Sequence, residues 1–351
     1  MPEVVSFVAP YEVALVAYDA SPLVPGSVRV RTWYSGVSAG TELTAYRGSN
    51  PYLTRTWDAG SGLFVEGIPT FAYPVEGWGY SEVGEVVEAA EDVTGPIVGD
   101  LVYGIWGHRS EALLPGAAVA KCVWTGQDPV AGTFARVGAI ALNALLAADV
   151  RLGDRIAVFG QGVIGLLATR LAVLAGAEVV AVDSIGPRLD AARAMGAAHV
   201  VRADAPEGAG ALVRAWTGGG GVDSAIELSG TDRALHEAVR SVVVDGTVAA
   251  SGFYQGGAAH LRLGEEFHHN RVRIVASQIS GTPIALGPRW DQPRLVRIFM
   301  EQVRRGEVDV RSLVTDVVDA VEVAMLFERL DRGDPGILQA VLRFPAAPEQ
   351  W

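Results

Sequence analysis

The stretch Arg155-Ile156-Ala157-Val158-Phe159-Gly160-Gln161-Gly162-Val163-Ile164-Gly165 decides how this chain folds. A short apolar run ends in a GxGxxG sequence and passes directly into residues 163–175, which are apolar at helical spacing. Glycines in that pattern serve a sharp turn, close approach of backbone to a pyrophosphate, and packing of helix on strand. The helix start adds unpaired N–H groups and the positive end of its dipole. A second apolar run, residues 178–182, ends at Asp183, whose carboxylate can accept from ribose hydroxyls. The reading is a dinucleotide site built from Gly160, Gln161, Gly162, Val163, Ile164, Gly165, Asp183 and Ser184. A negative Asp183 repels a 2′-phosphate, so NAD is expected rather than NADP. Arg188, which begins the next helix, is the one nearby group able to meet such a phosphate, and otherwise reads as a solvated cation. The plainer alternative is a Gly-rich turn that only joins strand to helix.

Outward from this point, runs at 155–159, 178–182, 199–201, 222–228, 247–251 and 272–276 alternate with helical segments at 163–175 and 188–195. Six strands with crossover helices make a complete doubly wound parallel sheet. Before about residue 140 the pattern changes to short alternating strands, such as 28–33 and 84–89, broken by Pro and Gly, which predicts a β-rich domain. After Gly281 come helices at 292–305 and 320–330 and a last strand at 338–344, a tail expected to return to the first domain.

A chain of 351 residues, 50% apolar and 19% charged, has room for about two folded domains. A net charge of −12 disfavours a phosphate backbone as partner, so no nucleic acid is expected. The single cysteine, Cys122, permits no internal disulfide and no thiolate cluster. No cationic segment precedes an apolar leader, and no run approaches about 18 uninterrupted apolar residues, so a cytoplasmic protein without a membrane partner is expected.

Taken in order, the motifs resemble the medium-chain dehydrogenase/reductase superfamily of zinc alcohol and polyol dehydrogenases over nearly the full length. Gly79-Tyr80-Ser81-Glu82-Val83-Gly84-Glu85-Val86 resembles its GHExxGxV segment, and Gly99-Asp100-Leu101-Val102 its GDxV. Val222 to Glu227, and the run ending at Ser251-Gly252, resemble the segments bordering the nicotinamide ribose and carboxamide, which adds Ser229, Ser251 and Gly252 to the cofactor set. The resemblance implies an α/β chain with a GroES-like β-rich catalytic domain (1–140 and 281–351) and a Rossmann NAD-binding domain (141–280), paired as a homodimer.

The departures concern metal. Where the family has its first zinc cysteine, this chain has Ala39 or Ser38; its histidine is Tyr80, and the third ligand falls near Arg136. The four-cysteine lobe is absent, because residues 100–102 run almost directly to Glu111. A member without metal is expected, and the run Gly36-Val37-Ser38-Ala39-Gly40-Thr41-Glu42 is most similar to bacteriochlorophyllide a dehydrogenase and its relatives. Zinc lowers the pKa of the bound hydroxyl and steadies the alkoxide in metal-dependent members, so protein groups must replace it. Thr41 matches the family's relaying hydroxyl, and Tyr80, beside the guanidinium of Arg136, is expected to act as base or donor. Ser38, Glu42, Trp57, Trp78 and His108 are the pocket candidates, with Glu42 as an orienting acid. Core packing is the plainer reading of the aromatics between 50 and 80. The expected activity is interconversion of a secondary alcohol and a ketone on a cyclitol, sugar or other biosynthetic intermediate. The alternatives are a redox-neutral epimerase or eliminase, a quinone or enone reductase, and a non-catalytic nucleotide-binding protein.

Overall fold

The computed structural model describes residues 1–348. In chain order the elements are strands β1 (Glu3–Ala9), β2 (Glu12–Ala17) and β3 (Ser27–Gly36), helix α1 (Ala39–Arg47), and strands β4 (Thr56–Asp58), β5 (Leu63–Val65), β6 (Val75–Glu76), β7 (Glu82–Ala89), β8 (Leu101–Gly104) and β9 (Glu111–Pro115). Helices α2 (Gly116–Val119) and α3 (Ala135–Ala147) follow, then β10 (Arg155–Phe159), α4 (Val163–Leu174), β11 (Glu178–Asp183), α5 (Gly186–Ala194), β12 (His199–Arg202), α6 (Ala209–Trp216), β13 (Val222–Glu227), α7 (Asp232–Ser241), β14 (Val242–Ala250) and β15 (Arg273–Ala276). The chain ends with α8 (Gln292–Arg304), β16 (Val314–Asp319), α9 (Val323–Asp331) and β17 (Gln339–Arg343).

These elements form two compact units, one of Met1–Arg136 with the chain from Asp309 onward, the other of Val137–Val308. In the first, β16-β17-β3-β7-β8 make a sheet that β9 joins at β3, and β2-β1-β6 make a smaller one. Phe7 and Phe327, both fully buried, meet edge to face at 5.1 Å, and Tyr46, Leu326 and Phe344 complete that core. The expected return of the tail is seen in β17, which pairs antiparallel with β3. Helix α1 starts after Ser38 and stops at Gly48, whose φ of +71° closes the helix in the left-handed conformation glycine favours.

In the second unit the strand order is β12-β11-β10-β13-β14-β15, every pairing parallel. All six strands lie where the sequence places them. β14 starts earlier than expected, at Val242, because the register slips between Val222 and Ser224 and Asp245 adopts a φ of +61°. Such a bulge interrupts the period of two on which the expectation rests. The boundaries also differ from 140 and 280. Helix α8, expected in the returning tail, belongs to the second unit, where the Phe299 ring lies so close to α3 that a Cβ on Gly138 would meet it at 2.1 Å. One helical stretch among the described residues, Pro129–Ala147, is long and apolar enough to cross a membrane, although polar residues interrupt it; 83% of it is buried inside the protein.

Candidate active site and cofactor cradle

The end of β10 builds the cradle in the second unit. Gly160 adopts a φ of +86°, and a Cβ there would lie 2.7 Å from the Ser229 nitrogen. Gly165 lies against the same turn, since its Cβ would be 1.8 Å from the Gly160 carbonyl oxygen. Gly162, the residue before α4, faces open space and leaves room for a ligand at the helix start, where Val163 and Ile164 supply first-turn N–H groups. Asp183 is nearly buried at the end of β11 and accepts from the backbone N–H of Gln161 (2.6 Å) and of Ile185 (2.8 Å). A carboxylate has about four lone-pair sites, so two remain for a diol. Ser184 is exposed beside it. The Gln161 side chain does not face a ligand: it donates to the Val158 carbonyl and accepts from Thr169 inside the core. Arg188 is half-buried and its Nε has no hydrogen-bond partner, so it is not the freely solvated cation expected.

Across the cradle, Ser229 is exposed and Ser251 carries a buried hydroxyl with no partner. Gly252 approaches Gly230 so closely that a Cβ would lie 2.3 Å from its nitrogen. One buried residue organises these loops. Glu227 accepts from the Ser229 backbone (2.7 Å) and hydroxyl, from the Gly230 N–H (3.2 Å) and from the Tyr254 hydroxyl. Burial pushes its carboxyl above the usual range, and burial next to Glu227 likewise raises the Tyr254 phenol. Neither residue stood among the sequence-based candidates; an acid ending a buried strand was the available signal for Glu227.

In the first unit, the turn from β3 into α1 faces the segment before β7. Tyr80 Oη forms a short hydrogen bond with Ser38 Oγ and a second, of 3.2 Å, with Thr41 Oγ1. Arg136, half-buried at the start of α3, acts electrostatically on Tyr80, and burial lowers its own pKa. The three proposed catalytic residues are therefore brought together. Of the two roles expected for Tyr80, base or donor, the environment favours the donor, because burial raises its pKa and outweighs the hydroxyl contacts and Arg136. Tyr80 is a neutral phenol at neutral pH.

His108 and Glu42 do not line an accessible pocket. Both are fully buried, with His108 Nε2 2.8 Å from Glu42 Oε2. Trp57 lies on the exposed hairpin of β4 and β5 and packs on Phe64 with ring centres 5.0 Å apart. Trp78 packs edge to face on Phe71 at 4.9 Å, and both rings rest on the first unit's core, as the plainer reading expected.

Comparison with known proteins bears on the family and the fold. Residues 163–287 match the model of the family described as zinc-binding dehydrogenase. D-guloside 3-dehydrogenase of Escherichia coli (strain K12) is 30% identical over 321 residues, which span 88% of this chain and 90% of that one. The chain belongs to the medium-chain dehydrogenase/reductase superfamily. Its fold is shared by an alcohol dehydrogenase from Escherichia coli CFT073 complexed with NADH (TM-score 0.75, 16% identity, covering 98% of this chain and 99% of that one). A zinc-binding dehydrogenase homologue from Sinorhizobium meliloti 1021, bound to NADP, has a TM-score of 0.76 at 20% identity over 98% of this chain and 99% of its own. Both nicotinamide cofactors thus occur on this fold.

The superfamily's zinc does not fit the donors at Tyr80. Serine, threonine and tyrosine hydroxyls beside a guanidinium offer none of the thiolate, imidazole and carboxylate ligands that zinc takes. The nearby Glu42 is committed to His108 and to the Ser38 N–H. Among the described residues, the one group of three His, Cys, Asp or Glu side chains close enough to share an ion is His236, Glu265 and Glu266, in the second unit. A nicotinamide dinucleotide does fit the cradle, where open space at Gly162 and the orphaned Ser251 hydroxyl await a partner.

Proposed function

We propose that this protein is an NAD-dependent, zinc-independent oxidoreductase that interconverts a secondary alcohol and a ketone on a sugar, glycoside or cyclitol. The observation that carries the reading is the Ser38, Thr41 and Tyr80 hydroxyl cluster with Arg136, around the place where the superfamily's metal site would align. The substrate class is supported by the 3-dehydrogenase of D-guloside among its relatives.

The chemistry follows from the protonation states. NAD, held by Gly160 to Gly165 and Asp183, supplies the hydride acceptor or donor when bound. Tyr80, a neutral phenol, donates its proton to the carbonyl oxygen as a ketone is reduced. Thr41 and Ser38 hold the phenol oxygen and steady the charge left on it, and Arg136 stabilises the oxyanion. In the oxidative direction the phenol must first lose its proton, so alcohol oxidation rises with pH.

Asp183 supports NAD through its charge. The orphaned Nε of Arg188 favours a second reading, a contact to an adenosine phosphate and use of NADP. Initial rates with each cofactor decide between them: the proposal expects NAD to be preferred, and an NADP preference overturns that part of it. We also propose a homodimer joined at β15, the outer strand of the parallel sheet, whose Val275 is 37% exposed.

A further inference from the structure

Behind the hydroxyl cluster lies a fully buried set of polar side chains that the proposed chemistry does not use. Glu42, Glu82, His108 and Ser35 are each 0% exposed. His108 Nε2 is 2.8 Å from Glu42 Oε2, and its Nδ1 is 2.5 Å from Ser35 Oγ. Ser35 Oγ in turn lies 3.1 Å from Glu82 Oε1. Glu82 also accepts from the backbone N–H groups of Trp106 (2.7 Å) and His108 (3.3 Å).

With Glu42 and Glu82 both ionised, donor counting calls for a doubly protonated ring. A serine hydroxyl has one proton, and it satisfies Glu82 only if His108 Nδ1 donates to the serine oxygen. His108 Nε2 must donate as well, because the Glu42 carboxylate only accepts. An imidazolium between two carboxylates uses all three side-chain contacts, whereas a neutral ring sets two acceptors face to face. The site is shaped for that ring: a Cβ on Gly79 would lie 2.7 Å from it, and His108 keeps a φ of +26°, uncommon outside glycine.

Glu42 links this cluster to the reacting groups. Its other oxygen accepts the Ser38 N–H at 2.8 Å, and Ser38 holds Tyr80. We propose that buried, cationic His108 is a positioning residue, which pins Glu42 and through it the Ser38 turn and the Tyr80 phenol. The inference rests on the reading above for the identity of the reaction, and on geometry for the pinning. A buried ion pair broken on one side leaves an uncompensated charge, which is far more disruptive than removal of both.

The test compares His108→Gln with Glu42→Gln/His108→Gln. In full-length protein, NMR of ¹⁵N-labelled histidine is expected to show both ring N–H protons of His108 at neutral pH, and hydrogen exchange at the Ser38 amide is expected to quicken about tenfold or more in H108Q. With a ketone substrate, kcat is expected to fall about 10- to 100-fold in H108Q at unchanged KM for NADH, and to recover in the double variant, where a neutral pair replaces the ionic one. A simple loss of packing gives no such recovery. A singly protonated ring, or unchanged exchange at Ser38 in H108Q, overturns the proposal whatever the reaction. Quickened exchange in a protein that turns over no alcohol or ketone upholds the pinning and overturns the proposed reaction instead.

Discussion

At the residue scale, the proposed chemistry rests most on Tyr80 and Asp183. Tyr80→Phe removes the proton donor but keeps the ring, so ketone reduction is expected to slow by about 10²- to 10⁴-fold with NADH affinity unchanged, measured by steady-state kinetics and fluorescence titration. The sign of the Tyr80 shift sets the pH profile. A phenol raised above its ordinary value of about 10 stays protonated through the neutral range, so reduction is expected to be flat there and to decline only in strong alkali. Oxidation is expected to climb toward high pH, and Y80F to lose that climb. Asp183→Ser removes the charge that repels a 2′-phosphate. The ratio of kcat/KM for NAD to that for NADP is expected to fall about 10- to 100-fold, the worth of one or two charged hydrogen bonds. These residues were legible because their roles are local: Asp183 ends a strand at a set distance from a glycine turn, and Tyr80 sits inside a motif. His108 was not. Its partners Glu42 and Glu82 lie 66 and 26 residues away, and only the packing of β3, α1 and β7 around one ring turns a plain histidine into a buried cation.

At the element scale, the GxGxxG turn ties strand to helix through contacts too tight for a side chain. Gly165→Ala would place a methyl against the Gly160 carbonyl, 1.8 Å from it before any relaxation. The expected cost is about 1–3 kcal/mol, read as a fall in Tm, together with loss of NADH binding as α4 moves off β10. The six parallel strands were readable because strands buried on both faces are short continuous apolar runs separated by helices. The β14 bulge and the attachment of α8 were not, since one depends on a single left-handed residue, Asp245, and the other on a ring filling the space over Gly138. The exposed outer strand β15 belongs to this scale as well. Light scattering is expected to give twice the mass of the chain, and Val275→Lys, which puts a charge on the outer strand, is expected to shift it toward the monomer.

For the molecule as a whole, the chain has the superfamily's fold, and in the proposed function hydroxyls, a guanidinium and a buried polar cluster stand where the superfamily's metal site aligns. The residues at the aligned zinc-ligand positions, Ser38 or Ala39, Tyr80 and Arg136, are read from the sequence one position at a time. That Ser38, Thr41 and Arg136 all act on Tyr80 is visible only in the fold. The most direct test is NADH formation by purified protein with a strong chelator present, across secondary alcohols that include glycosides, sugars and cyclitols. The account predicts turnover that survives the chelator and is lost in Y80F. Activity that disappears on chelation and returns with zinc would contradict it.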